Sequence, residues 1–456
     1  MTSTPRHPAV YLETHGCKLN QADTQAMAAR FLAEGYTLAA GPEEADVCVV
    51  NTCTVTHVAD AKARHAVRSA RRMNLSALLV ATGCYAQRAP GQLAQLEGVD
   101  LVLANTQKAE LVAQVSQALG LGASPCSGGE PAAAVEKAAL PTRAMVKIQE
   151  GCNQVCAYCI VPRVRGREHS VHPDALVNQV QRLTAEGYRE VVLTGTQLGT
   201  YGFDIPGASL CRLIARILAE TSIPRLRVSS LQAHEITREL LELWSDPRLC
   251  PHLHLPLQSG SAQMLVLMRR RYSPEQYEHA VDMVRAAAPA AAVTADVIVG
   301  FPGETEELFE ETYQLCQRVG FAALHLFPYS VRPGTSAAHF AGQVEEKAKR
   351  ERMARLLALA KSQAARFQEG MVGSVRPVLW EASHSLGDAQ VWSGLTDNYL
   401  RVFTRSGAPL HNQVTPVRLE RRQGEVVWGT VCRTPTPAGS EERPLPLRRA
   451  PHAPPE

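Results

Sequence analysis

Residues 149–162 read Q-E-G-C-N-Q-V-C-A-Y-C-I-V-P, placing Cys152, Cys156 and Cys159 in one run with no fourth cysteine close behind. A cuboidal iron–sulfur cluster takes four thiolates, one per iron. Three thiolates at C-x3-C-x2-C spacing hold three irons and leave the fourth open to a small chelating ligand. Zinc is the competing reading, but zinc ribbons pair two separated C-x2-C elements. The chain has no second such pair. The spacing favours an iron–sulfur site, and metal analysis decides between the two.

Outward from this run, an apolar strand, a loop and a helix alternate six times. The expected strands are Ala144–Ile148, Glu190–Leu193, Leu226–Val228, His252–Leu257, Thr294–Val299 and Ala322–Phe327. Six such units predict a partial (β/α)6 barrel, smaller than the full eight. Chemistry on such barrels belongs to the loops at the strand C-termini. Glu150–Cys159, Thr194–Gly199, Ser229–Gln232, Leu257–Gly260 and Gly300–Glu304 all fall there.

The first hundred residues follow the same grammar in a different sheet. Val10–Leu12 runs into Cys17, Val47–Val50 into Cys53, and Leu78–Ala81 into Cys84, with helices over Gln21–Glu34 and Val58–Arg72. Strands alternating with helices give a parallel sheet, whose post-strand loops gather at one edge. Cys17, Cys53 and Cys84 therefore converge as a second three-thiolate set. Buried cysteines also pack simply as small hydrophobes, a reading that fits Cys48 inside its apolar strand.

The remainder is plainer. Residues 121–141 are rich in Ala, Gly, Ser and Pro and read as a linker, with Cys126 incidental to it. A charged helix is expected over Val344–Phe367. Short β-rich runs follow at Val375–Trp380, Gln390–Gly394, Tyr399–Phe403, Gln413–Leu419 and Glu425–Val431, predicting a small antiparallel β-barrel. The Pro- and Arg-rich residues 433–456 read as a disordered tail.

Composition sets outer limits. With 45% hydrophobic and 20% charged residues the chain is of globular type, and a net charge of +3 neither announces nor excludes a nucleic acid. Met1–Pro8 is polar, unlike a signal peptide, and no run of 18 apolar residues suggests a membrane span. Twelve cysteines without a secretory signal point to reduced thiols, metal binding and a cytoplasmic location.

These blocks together resemble the radical S-adenosylmethionine (SAM) methylthiotransferases, from Tyr11 to about Cys432. The matching motifs are T-H-G-C-K-L-N-Q-A-D-T at Thr14–Thr24, N-T-C-T-V-T at Asn51–Thr56 and T-G-C-Y-A-Q at Thr82–Gln87. The cysteine run at 149–162 joins them, with L-Q-S-G-S at Leu257–Ser261 and D-V-I-V-G-F-P-G-E-T at Asp296–Thr305. The resemblance implies an N-terminal α/β domain (8–120), the linker, a radical SAM core (142–340), a helical connector (341–369), a TRAM-like RNA-binding barrel (370–432) and the tail. Within the family, G-C-K-L-N-Q and H-L-F-P-Y-S at His325–Ser330 resemble the branch acting on N6-threonylcarbamoyladenosine in tRNA. Isopentenyladenosine tRNA or a ribosomal-protein aspartate is the alternative substrate. A non-catalytic iron–sulfur carrier or RNA-binding protein is the alternative class.

The resemblance implies two [4Fe-4S] clusters. Cys152, Cys156 and Cys159 would hold the one that binds SAM, and Cys17, Cys53 and Cys84 an auxiliary cluster that carries the transferred sulfur. Tyr158 is expected near the adenine of SAM, or else as loop packing. Gly300 and Gly303 would let backbone approach the cofactor, or else form a plain turn. No further catalytic residue is assigned. The partners implied are a tRNA anticodon stem-loop, a reductant protein and a sulfur donor. His169 stands where the family pattern suggests arginine; Arg163, Arg165 and Arg167 beside it are available for phosphate contact, or else are ordinary solvated charges. Deletion beyond Gly370 is expected to weaken tRNA binding and spare both clusters.

Overall fold

A strand covered on both faces reads as an unbroken apolar run. Val47-Cys48-Val49-Val50 is such a run, and every residue of the strand Val47–Thr52 is buried. The computed structural model describes residues 7–121, 142–386 and 389–432; nearly all of the expected linker and the whole tail lie outside them. The N-terminal strands are β1 (Ala9–Thr14), β2 (Thr37–Leu38), β3 (Val47–Thr52), β4 (Leu78–Gly83) and β5 (Leu101–Leu103). They form one parallel sheet in the order β2-β1-β3-β4-β5. The edge strands β2 and β5 were not expected, because two or three residues are too few for a period to register.

In this order the chain turns one way after β1 and the other way after β3. The crevice between their C-terminal ends is a topological switch point, where ligands bind in parallel sheets. Thr14 pairs with Asn51, and Thr52 with Gly83, so the ends of β1, β3 and β4 are level. Cys17, Cys53 and Cys84 follow those three ends.

The second sheet system comprises β6 (Arg143–Lys147), β7 (Glu190–Thr194), β8 (Arg225–Val228), β9 (His252–His254), β10 (Ala292–Val299) and β11 (Ala323–Pro328). Parallel pairings give two three-stranded sheets, β6-β7-β8 and β9-β10-β11. Single bridges at Leu226–Leu249 and Ser230–His254 join them into one six-stranded arc. Its free edges need cover, since an open strand exposes unpaired backbone groups. At β6 the cover is the helix Lys18–Ala33: Met145 N donates to Gln25 Oε1 at 2.8 Å, so one side chain stands in for a neighbouring strand. The helix Glu346–Met371 packs near β11, where Gln363 accepts from Phe321 N at 3.1 Å and donates to Cys316 O at 2.7 Å.

The C-terminal strands β12 (Val375–Leu386), β13 (Ala389–Thr396), β14 (Arg401–Arg405), β15 (Val414–Gln423) and β16 (Val426–Val431) close into a barrel, β12-β13-β14-β16-β15. One pairing, β14 with β16, is parallel and the others antiparallel. A closed ring of five strands cannot alternate direction throughout, so the fully antiparallel expectation fails at one seam. Trp380 fills the barrel interior and its indole donates to Thr415 Oγ1 at 2.8 Å.

This barrel is wedged against the N-terminal ends of the arc strands. Arg225 donates to the carbonyls of Leu395 at 3.0 Å and Thr396 at 2.8 Å, and Arg227 to that of Asp397 at 2.9 Å. Both guanidiniums also pair with the fully buried Glu190 at 2.8 Å. Removing residues beyond Gly370 would strip these cations of their carbonyl partners, a cost that comes in addition to the expected loss of tRNA binding.

Candidate active site with two cysteine triads

The two glycines that precede N-terminal cysteines are sterically required. Gly16 has φ +102°, and a Cβ there would lie 2.6 Å from Cys53 Cβ and 2.8 Å from its sulfur. Gly83 has φ +98°, and a Cβ would lie 2.4 Å from Thr52 O. Positive φ is open to glycine at no steric cost. Bare backbone thus lets three loops close on one point. Asn20 ties them, donating to His15 O at 2.6 Å and Thr52 O at 3.1 Å. Burial pushes the Cys53 thiol up to about 12, and Cys17 and Cys84 add to that push. Such thiols stay protonated unless a metal supplies the compensating charge.

Around the second triad, Gly151 has φ +76° and a Cβ there would sit 2.0 Å from Arg167 O. Gln154 N donates to Cys152 Sγ at 3.4 Å, and Arg270 Nη1 reaches Cys156 Sγ at 3.6 Å. Burial pushes Cys159 up to about 12, with Cys156 and Cys152 adding to it. Beside these sulfurs runs a polar chain. Gln232 donates to Gln154 at 3.3 Å and to Gln197 at 2.5 Å, and Gln197 donates to Glu235.

The triads adjoin. Cys84 packs with Ile160 and Val164, immediately after Cys159, and Asn105 donates to Val164 O at 2.7 Å while reaching Cys84 Sγ at 3.7 Å. Arg165 lies buried at the junction, donating to Glu150 at 2.6 Å, to Asp23 at 3.1 Å and to Asn20. Burial disfavours its charge, but Cys84, Asp23, Glu150 and Cys17 reverse that and raise its pKa. Arg165 is therefore an internal cation, not the phosphate contact expected from its neighbours. His169 is exposed, with Nδ1 3.4 Å from Arg167 O.

Of the three positions expected at a cofactor, Tyr158 packs edge-on to Phe301 at 6.4 Å, in a cluster with Met264 and Met268. Gly300 and Gly303 have packing reasons of their own. A Cβ on Gly300 would lie 2.4 Å from the Lys349 chain, and Gly303 N donates to Gly342 O at 2.8 Å.

The donor sets fit iron–sulfur clusters better than single ions. Among the described residues the one trio of donor atoms within 4.8 Å of one another is His254, Asp296 and His325. Neither cysteine triad closes to that span, so each is set wider than one ion needs. A polar ligand also fits beside Cys156: Gln232 Oε1 and Arg270 Nη2 are buried there with no hydrogen-bond partner. Buried polar atoms are otherwise almost always satisfied.

Residues 9–104 match the model of an uncharacterized protein family, UPF0004, and residues 146–316 that of the radical SAM superfamily. The chain is 37% identical over 421 residues to threonylcarbamoyladenosine tRNA methylthiotransferase MtaB of Bacillus subtilis, covering 90% of this chain and 93% of that one. To the Aquifex aeolicus protein of the same name it is 39% identical, covering 86% and 96%. The chain belongs to the radical SAM methylthiotransferases, in their threonylcarbamoyladenosine tRNA branch. A solved radical SAM methyltransferase, TsrM of Kitasatospora setae, shares the fold, with TM-score 0.52 and 14% identity over 83% of this chain and 79% of that one.

For this methylthiotransferase, sequence reasoning did not single out Gln154, Gln197, Gln232, Glu235 or Arg270, and it gave Arg165 a different role. Gln197 and Gln232 lie in strand-end segments already singled out. Arg270 follows a short helix and carries no local signal.

Proposed function

We propose that this chain attaches a methylthio group to C2 of N6-threonylcarbamoyladenosine beside the anticodon of tRNA, in the cytoplasm. The observation that supports this best is the adjacency of two cysteine triads from different domains, in a chain 37% identical to a relative of that name. Cys152, Cys156 and Cys159 hold the [4Fe-4S] cluster that binds SAM, and Cys17, Cys53 and Cys84 hold the auxiliary one. When bound, the first cluster and SAM supply abstraction of an unactivated hydrogen, chemistry beyond any side chain.

The protein's own part is placement. Arg270 and the chain Gln154–Gln232–Gln197–Glu235 orient the polar ends of SAM, while Tyr158 walls its ring. Ile160 and Val164 keep water from the junction, and Arg165 offsets the thiolate charge there. The adenosine is presented singly, out of its stack, as base-modifying enzymes require. On the C-terminal barrel, Arg405 and Arg421 flank Trp428 at 5.9 and 5.8 Å, a basic and aromatic face suited to RNA. The reaction also needs an electron donor and a sulfur source.

An anaerobic assay with dithionite, SAM and threonylcarbamoyladenosine-bearing tRNA tests the reading. The 2-methylthio nucleoside is expected, and its loss in both Cys17→Ala and Cys152→Ala. Formation of 5′-deoxyadenosine without modified nucleoside would keep the radical chemistry and reject the substrate.

A further inference from the structure

One cation near the auxiliary triad stands outside the ion pairs around it, with Glu190 attracting it only from beyond ion-pair distance. Lys18 opens the helix Lys18–Ala33, one residue after Cys17, where the helix dipole disfavours a positive charge. Its ammonium lies 5.6 Å from the ring centre of Tyr399, which also faces Arg143 at 5.9 Å and Arg227 at 4.8 Å. Arg143 pairs with Glu381 and Arg227 with Glu190, each at 2.8 Å. Lys18 pairs with no carboxylate among the described residues.

From Tyr399 a continuous polar path leads into the arc. His252 stacks on Tyr399 at 4.5 Å, and Thr294 Oγ1 lies 3.2 Å from His252 Nε2 and 2.9 Å from His254 Nδ1. His254 Nε2 is 3.3 Å from Asp296, and the His325 ring is 5.7 Å from that of His254. Burial disfavours the charging of His325, and His254 and Lys18 add to that against the pull of Asp296. Both nitrogens of His254 have partners, which leaves three groups for a ligand: the Lys18 ammonium, a ring nitrogen of His325 and the remaining acceptor capacity of Asp296.

We propose that Lys18 and His325 bind the carboxylate of the threonylcarbamoyl group on the substrate adenosine, with Asp296 accepting from its hydroxyl or urea N–H. This rests on the function proposed above and names the residues that read that substituent. With C2 of the adenine at the auxiliary cluster, the N6 substituent reaches only a few bonds further. Lys18 starts from the residue next to a ligand of that cluster. An isopentenyl group would leave all three polar groups unpaired, and sites built for hydrogen bonds reject analogues that lack them. A metal ion at His254, Asp296 and His325 is disfavoured by the Lys18 ammonium nearby and by the existing bond between His254 and Asp296.

The test uses cluster-loaded enzyme with two anticodon stem-loops, one bearing N6-threonylcarbamoyladenosine and one its threonine-amide analogue. Binding is read by anisotropy and product by mass spectrometry. Wild type should prefer the acid by about tenfold or more in both. Lys18→Gln should cut that preference to about threefold or less, with iron content kept. His325→Ala should move the ratio the same way, and Lys18→Arg should restore it. Equal binding of acid and amide by wild type, or a loss shared equally by both RNAs in Lys18→Gln, overturns the subsite. So does a stoichiometric divalent ion that His325→Ala releases. No product from either RNA while SAM is cleaved would instead reject the functional reading.

Discussion

Lys147 Nζ stands 2.8 Å from Asp23 Oδ1, joining the first strand of the arc to the helix that begins beside Cys17. Asp23 also takes Lys108 at 2.7 Å and Arg165 at 3.1 Å, so three cations from both cysteine-bearing domains meet on one buried carboxylate. Burial pushes the Asp23 carboxyl up, but Lys108, Arg165 and Lys147 outweigh that and hold it well below the ordinary range. This joint and the buried Arg332–Asp60 pair at 2.7 Å hold the two cysteine-bearing domains together.

Asp23→Asn should therefore uncouple the halves of the site. Lys108 would lose its ion-pair partner while Lys147 and Arg165 keep Glu150 at 2.6 Å; breaking a buried pair costs about 3–5 kcal/mol, readable in thermal unfolding. SAM cleavage should survive better than methylthio transfer. Equal loss of both would show that the joint does not set the spacing of the triads.

Cys53 and Cys48 make a matched contrast, both being buried and five positions apart. Cys53→Ala should lower iron from about eight to about four atoms per chain after reconstitution. Cys48→Ala should leave iron unchanged, because Cys48 sits within β3 and not at its end. Iron and sulfide analysis of the two variants settles it.

Glu190 predicts an acid-labile barrel contact. Burial pushes its carboxyl up, but Arg227 and Arg225 overcome this and hold it at about 2. A depressed pKa stabilises the folded state above the unfolded value of 4.5, and that contribution is lost as pH falls towards 2. Glu190→Gln should flatten the stability curve over that window while lowering stability at neutral pH. An unchanged slope would remove Glu190 as the cause.

On the C-terminal barrel, Arg405→Ala and Arg421→Ala should weaken tRNA binding and each reduce the salt slope by about one unit. Both clusters should remain. Truncation at residue 370 should instead give poorly soluble protein, since Arg225, Arg227 and Glu190 lose their cover. A soluble, cluster-loaded truncation would contradict the packing described here.

Much of the architecture was legible in advance because it is written in local patterns. The strand at 190–194 is buried throughout, and in Thr294–Val299 only Asp296 and Ile298 are half-buried, so their apolar stretches marked them without knowledge of their partners. The strand-end segments around Gln197 and Gln232 were legible for the same reason, as every β-strand followed by a helix exposes a loop. β2 and β5 were not, being shorter than any period. The role of Arg165 was not legible: a basic residue near a cysteine run reads as a phosphate contact or a solvated charge until Asp23, 142 positions away, is seen beside it.

By itself the sequence determined the kinds of chemistry available. The spacing of Cys152, Cys156 and Cys159 is a local property, set by a loop of eight residues, and it carries the donor set proposed for an open iron site. The parallel sheets follow equally from strand–helix alternation. Only the tertiary structure decided which charges are paired. It left Lys18 outside any ion pair among the described residues, buried Glu190 between two arginines capped by a different domain, and gathered Lys108, Lys147 and Arg165 on Asp23. The reason is physical. Hydrophobic period is repeated along the chain and so can be read from it, whereas the partner of a buried charge is chosen by folding and leaves no trace in the residues adjacent to it.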